Sequence, residues 1–215
     1  TIGGIIVDGG NFDWAANPKK QPLFNQPDPS YNGAIWGRDV PKMTGANVAF
    51  AIRARVVLLR DLGAPLSPFN AFQIIQGLET VAIRMKQHCA NAEKIVKFLE
   101  TQKKVKNVIY PTNHQGEIRD RAKRYMKGGY GSLVGMDLGS LEAGAKFIDN
   151  LKLLYHVANI GDARSLAIHP ASTTHGQLNE KQLAEAGVTP GYVRLSIGIE
   201  HPDDIIADIK QALAA

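Results

Sequence analysis

The 215-residue sequence has one cysteine, Cys89, so no disulfide can form within the chain. A reducing, cytoplasmic setting is the simple expectation. No apolar run approaches the roughly 20 residues of a membrane-spanning helix, which argues against a membrane partner. No signal peptide is expected at the start either. No serine sits in a Gly-x-Ser-x-Gly elbow, so a hydrolase site built from Ser172, His175 and Asp162 has only its residue types in its favour. His169 and His175 bring no further convergent ligands, and zinc needs three or four, so no metal site is expected. Around Gly128–Gly135 the third glycine of a dinucleotide fingerprint falls at Val134, and the segment leads into a strand rather than a helix.

Apolar residues make up 44% and charged residues 21%, the composition of a folded globular chain rather than a disordered one. The net charge of +5 gathers in Lys103-Lys104-Val105-Lys106 and in Arg119–Lys127. No aromatic platform interleaves with these basic residues, so they read as solvated faces and no nucleic-acid partner is expected. The chain opens on Thr1-Ile2-Gly3-Gly4-Ile5-Ile6-Val7, without a methionine or a loose lead-in, as though cut from something longer.

Along the chain, Ile2–Val7 is apolar on both faces and predicts a buried strand. Asn11–Pro41, with five prolines and turn dipeptides, predicts a long loop, kept from disorder by Phe12, Trp14, Phe24, Tyr31 and Trp36. A helix is predicted over Asn47–Asp61, then a break where Ser67 caps and Pro68 takes a first helical position. The longest helix is placed over Leu78–Gln102. Its stripe runs Leu78, Val81, Ala82, Met85, Cys89, Ala92, Ile95, Val96, Leu99, which makes Cys89 a core residue. Strands are expected at Val105–Tyr110, Gly131–Leu138, Tyr155–Ala158 and Tyr192–Ile199, and helices at Arg119–Met126, Ser140–Leu151 and Pro202–Leu213. The second half reads as a small α+β layer.

The strand at Tyr192 is the most informative. Val193, Leu195, Ile197 and Ile199 share one face, and Arg194, Ser196, Gly198 and Glu200 the other. An arginine centred on a short strand can fork onto a carboxylate. From the pattern alone, a solvated arginine on an outer face is the plainer reading.

Several ordered stretches resemble one family: Gly3-Gly4-Ile5-Ile6-Val7-Asp8-Gly9-Gly10-Asn11-Phe12-Asp13-Trp14, Asp28-Pro29-Ser30-Tyr31, Leu66-Ser67-Pro68 with Gly77-Leu78-Glu79-Thr80, Arg84-Met85 and His88-Cys89-Ala90-Asn91-Ala92, His169-Pro170-Ala171-Ser172-Thr173-Thr174-His175, and Val193-Arg194-Leu195-Ser196-Ile197-Gly198-Ile199-Glu200. Over essentially its whole length the chain resembles the Cys/Met-metabolism family of pyridoxal-phosphate enzymes. The aromatic-rich loop is similar to that of the O-acetylhomoserine sulfhydrylase branch.

The resemblance implies an α/β, aspartate-aminotransferase-like (fold type I) architecture. Residues 1–77 would be the C-terminal part of the cofactor-binding large domain, with a substrate or oligomer loop at 11–41. Residues 78–215 would be a linking helix and the small α+β domain. The implied reaction is γ-replacement on O-acetylhomoserine by sulfide or a thiol, giving homocysteine or methionine and acetate. The implied cofactor is pyridoxal 5'-phosphate, held mainly by an N-terminal half upstream of Thr1. The family's cofactor lysine sits in a Ser-x-Thr-Lys motif before the Gly-Gly strand. Lys42, in Pro-Lys-Met-Thr, does not match it, so no catalytic residue is expected in this chain. The family's match for the substrate-carboxylate arginine is Arg194. Asn159, where the lyases often have serine, would assist it, and Thr174 would lie near the substrate. The implied partners are an amino-acid substrate, sulfide, the N-terminal half and the other subunits of a homotetramer. Methionine γ-lyase and cystathionine γ-synthase are the alternative branches. A non-catalytic oligomerising fragment is the alternative outside enzymology.

Overall fold

The computed structural model describes residues 1–215 except the side chain of Glu180. The chain divides into two units, Thr1–Leu78 and Glu79–Ala215, each with a core of its own.

In the first unit the expected strand at Ile2–Val7 does not form. Ile2 is 90% and Val7 82% exposed, and these residues join no ladder. A strand exists only through its neighbours, and the sole pairing described within this unit is an isolated bridge between Asp28 and Ala34. The predicted loop at 11–41 is also corrected. It holds helix α1 (Pro22–Asn25), a 3-10 turn (Pro29–Tyr31) and the start of α2 (Trp36–Thr44). Pro22 and Pro29 each open a helical turn, where the missing amide hydrogen costs nothing, so these two prolines mark starts rather than breaks, whereas Pro41 lies inside α2. The aromatics supply the reason to fold. Trp36, Val40 and Ala49 are buried, with Trp14, Phe24 and Tyr31 packed on them, and Trp14 stacks on Phe24 at 4.4 Å. Asp28 ties the turn together, accepting from the Ser30 amide and from the Trp36 indole.

The helix predicted at 47–61 is present as α3 (Ala49–Arg53), a π-helical stretch (Ala54–Leu59) and α4 (Arg60–Leu62). In the π stretch the Val56 carbonyl lies 2.6 Å from the Tyr31 hydroxyl, so an outside donor serves the widened turn. Helix α5 (Pro68–Glu79) starts as expected, with the Ser67 hydroxyl accepting from the Asn70 amide, but it buries no residue.

The second unit is a five-stranded sheet covered on one face by helices. Helix α6 (Val81–Glu100) leads in, separated from α5 at Thr80. Only the later part of its predicted stripe is buried: Leu78 is 60% exposed, whereas Ala92, Ile95 and Leu99 are fully enclosed. There follow β1 (Asn107–Ile109), α7 (Gly116–Tyr125), β2 (Leu133–Asp137), α8 (Leu141–Asp149), β3 (Tyr155–His156), β4 (Leu166–Ile168), α9 (Glu180–Glu185), β5 (Tyr192–Ser196) and α10 (Pro202–Ala214). The sheet order is β1-β2-β5-β4-β3, antiparallel except for β3 with β4. Val134 and Met136 of β2 and Val193 and Leu195 of β5 meet Ile95, Phe147, Ile205 and Ile209 from α6, α8 and α10. Pro202 opens α10 as expected, and at the start of α8 the Ser140 hydroxyl accepts from the Ala143 amide.

Strand β4 and helix α9 are additions to the sequence reading. β4 is three apolar residues between a polar turn and Pro170, too short for a period to show. Helix α9 is readable in hindsight from the reciprocal cap between Asn179 and Gln182. No helix among the described residues is long and apolar enough to cross a membrane.

Candidate functional site

Strand alternation builds the site. Val193 and Leu195 are fully buried on the helix side of β5, which sends Tyr192, Arg194 and Ser196 to the other face. Arg194 is half-buried, with Gly135 of β2 and Ile168 of β4 as its cross-strand neighbours. Gly135 makes room for a close approach: a Cβ there would lie 2.7 Å from Tyr192 Cε2 and 3.1 Å from Ile109 Cβ, so the ring would have to move. The missing side chain lets the Tyr192 ring lie across β2. Burial raises the Tyr192 phenol above its usual pKa, opposed by the charge of Arg194. Tyr192 and Arg194 line a cavity of about 520 Å³, together with Ile109, Leu133, Ile118 and Tyr125.

Among the described residues, Arg194 has no carboxylate at ion-pair distance, and its one hydrogen bond is a long 3.4 Å from Nη2 to the Asn159 carbonyl. A guanidinium has five N–H donors in a planar fork, so most of this donor set is unused. Arg164 differs: it lies 3.7 Å from the Asp162 carboxylate and stacks on the Tyr155 ring. A half-buried cation with no anion beside it is the feature that a ligand carboxylate would complete.

Asn159 stands in the turn from 157 to 165. Its Oδ1 accepts from the Ile160 amide, which leaves the amide nitrogen pointing its donors elsewhere. The turn is held to β5 by the Gly161 amide on the Ser196 hydroxyl, 3.3 Å. The structure thus brings Asn159 to Arg194. It does not bring Thr174 to either: Thr174 is exposed after a short 3-10 turn (Pro170–Ser172), its hydroxyl 2.9 Å from His175 Nδ1.

The sequence alternatives come apart. Ser172 bonds to His169, His175 to Thr174, and the Asp162 carboxylate accepts from the Arg164 amide, so no relay forms. His169 is fully buried between the Ser172 hydroxyl and the Pro190 carbonyl, a structural fastening. No group of three potential metal ligands occurs among the described residues. Every lysine, Lys42 included, is exposed. An imine-forming lysine needs a sheltered amine with a lowered pKa, so this chain's residues do not fit the covalent attachment point of a carbonyl cofactor.

Tyr192 and Gly135 were not singled out from the sequence. Their role depends on cross-strand register, which no local pattern carries.

Comparison with known proteins supplies the context. The chain is 49% identical to an O-acetyl-L-homoserine sulfhydrylase of Leptospira meyeri, over 99% of this chain and 49% of that protein. It is 44% identical to a homocysteine synthase of Schizosaccharomyces pombe, again over 99% of this chain and 49% of the relative. The chain therefore spans about half the length of the curated relatives it matches. A crystal structure of a Campylobacter jejuni protein assigned as an O-acetylhomoserine (thiol)-lyase superposes with a TM-score of 0.77 at 43% identity, over 89% of this chain and 44% of that one. That protein carries a pyridoxyl-lysine phosphate adduct. The fold is accordingly of the α/β, aspartate-aminotransferase-like, fold type I kind. With residues 1–214 matched, the chain belongs to the Cys/Met metabolism PLP-dependent enzyme family.

Proposed function

We propose that the whole protein is a pyridoxal-phosphate-dependent transferase of O-acetylhomoserine sulfhydrylase type. It replaces the γ-acetoxy group of O-acetyl-L-homoserine by sulfide or a thiol, giving homocysteine or methionine and releasing acetate. The lyase and cystathionine-synthase alternatives are not favoured, since the relatives are named as sulfhydrylases and homocysteine synthases. In this reading residues 1–77 complete a cofactor-binding large domain and 78–215 form the small domain. The cofactor is attached in the part of the protein outside this chain and supplies an electron sink there. The other partners are an N-terminal half and further subunits of a cytoplasmic homotetramer. The exposed apolar side chains of the first unit, such as Phe69 and Phe72, are suited to such contacts.

This chain contributes the grip on the amino acid. The observation that carries the proposal is the unpaired, half-buried guanidinium of Arg194. A substrate α-carboxylate docks on its fork, and the Asn159 side chain donates to the same carboxylate. Two-point binding fixes the direction of the Cα–H bond, which sets the stereochemistry of proton removal. Thr174 is assigned to the substrate by the family resemblance alone, since it is exposed and its hydroxyl is engaged with His175. In the full-length holoenzyme, Arg194→Ala is expected to lose about 2–5 kcal/mol in kcat/KM for O-acetylhomoserine while cofactor absorbance persists. Arg194→Lys should recover only part, because a point charge does not reproduce the fork. If Arg164→Ala abolishes activity and Arg194→Ala leaves the kinetics near wild type, the assignment is wrong.

A further inference from the structure

Immediately after β5 the chain runs through Ile197, Gly198, Ile199 and Glu200, and this short segment gathers an unusual density of side-chain hydrogen bonds. From α6, the fully buried His88 places Nδ1 2.6 Å from the Ile197 carbonyl. A carbonyl only accepts, so Nδ1 carries the hydrogen, and Nε2 has no partner among the described residues. One turn on, the buried Asn91 donates to the carbonyls of both Gly198, at 3.0 Å, and Glu200, at 2.8 Å. From the other side, the Glu200 carboxylate accepts both donors of Ser165: the amide at 2.7 Å and the hydroxyl at 2.9 Å. The Ser165 hydroxyl then accepts from the Gly198 amide at 2.8 Å. The Ile199 amide reaches the Ala163 carbonyl.

These bonds connect the two halves of the grip. Arg194 lies three residues before Ile197 on one side, and Ser165 closes the turn that carries Asn159 on the other. The spacing between them is tight. A Cβ on Gly198 would stand 2.5 Å from both the Ala163 carbonyl oxygen and the Ser165 nitrogen, and would also collide with the Glu200 carboxylate. Nothing but a glycine lets the turn lie this close to the strand end.

We propose that Glu200, Ser165 and Asn91, with His88 behind them, are positioning residues for substrate-carboxylate binding: a buried polar clamp that sets the distance between the Arg194 guanidinium and the Asn159 turn. The inference rests on the carboxylate-grip reading and adds to it the group that holds the grip in register. The clamp acts through hydrogen bonds to backbone, and backbone spacing is what two-point recognition of a planar carboxylate depends on.

The test uses the full-length holoenzyme and two substrates, the amino acid and its methyl ester, which lacks the carboxylate charge. Glu200→Gln replaces one of the two carboxylate acceptors by an NH2 donor, so the amide and the hydroxyl of Ser165 no longer both have an acceptor there. Ser165→Ala deletes the hydroxyl that bridges Glu200 and Gly198 without changing charge, and serves if the first variant folds poorly. Each is expected to lower kcat/KM for the amino acid about tenfold and to leave that for the ester near wild type, so that selectivity for the acid collapses. Cofactor absorbance should stay close to wild type, and the orphaned Gly198 amide should lower the melting temperature of Ser165→Ala only modestly. Unchanged selectivity overturns the clamp, and so does an equal loss on acid and ester accompanied by a lower melting temperature, which marks plain structural damage. Arg194→Ala, measured alongside, separates the two claims. If it too leaves selectivity unchanged, the carboxylate reading fails. If it alone collapses selectivity, that reading stands and the clamp does not.

Discussion

The two units are built from similar proportions of apolar sequence but are finished to different degrees. The second has a continuous core in which Leu99, Met136, Leu195 and Ile209 are fully enclosed. Its buried polar groups are mostly paired, among them Asp208, whose carboxylate accepts the amides of Lys152, Leu153 and Leu154 at 2.8–3.0 Å. The first unit has a small aromatic core around Trp36 and leaves Ile2, Val7, Phe69 and Leu62 mostly exposed. Apolar content alone therefore does not make a core. Elements must be present on both sides of it, and the second unit has a sheet with helices where the first has helices alone.

The largest expected effect concerns independence. Expressed alone, Glu79–Ala215 should melt cooperatively, whereas Thr1–Leu78 should bind an apolar dye and show no cooperative transition. A cooperative first unit with no dye binding would break the comparison. Next, Leu195→Ala removes a fully enclosed side chain and should cost about 2–5 kcal/mol in the denaturant unfolding of the second unit. Trp36→Ala, by contrast, should raise hydrogen exchange across the first unit and leave that transition in place. If it shifts that transition, the units are not separate in energy. Asp208→Ala should cost about 1–3 kcal/mol, because three amides at 152–154 lose their acceptor, and those amides should exchange first.

The smallest effect is a titration in the first unit. The Arg38 guanidinium, and then the Ile35 amide, hold the Asp39 carboxyl down at about 2, below the ordinary value for aspartate. A depressed folded pKa means that the native state binds fewer protons than the unfolded state between the two values. The stabilisation is therefore full above roughly pH 4 and is lost as pH falls through about 2. Asp39→Asn should flatten the acid limb of local exchange at the Ile35 amide. An unaltered acid limb would remove this interaction from the account.

The strand at Tyr192–Ser196 was readable because its alternation is strict and long enough to show a period of two, and the face assigned to Arg194 is the one it occupies. Helix α10 was readable from its stripe and its opening Pro202. The strand expected at Ile2–Val7 was not realised, since its pattern describes neighbours that no local segment provides. His88 and Asn91 were overlooked because they sit beside the apolar stripe of α6, and their partners lie more than a hundred residues away.

Local pattern suffices for the family, for the alternation that places Arg194 opposite Val193 and Leu195, and for the starts of α5 and α10, because these depend on residues within a few positions of one another. Only packing leaves Arg194 without an acidic partner among the described residues and lets Gly135 make room for Tyr192. It also decided that Glu200 and Ser165 fasten the Asn159 turn to the end of β5. Each of these is a contact between segments far apart in the chain, fixed only when strand register and packing bring them together.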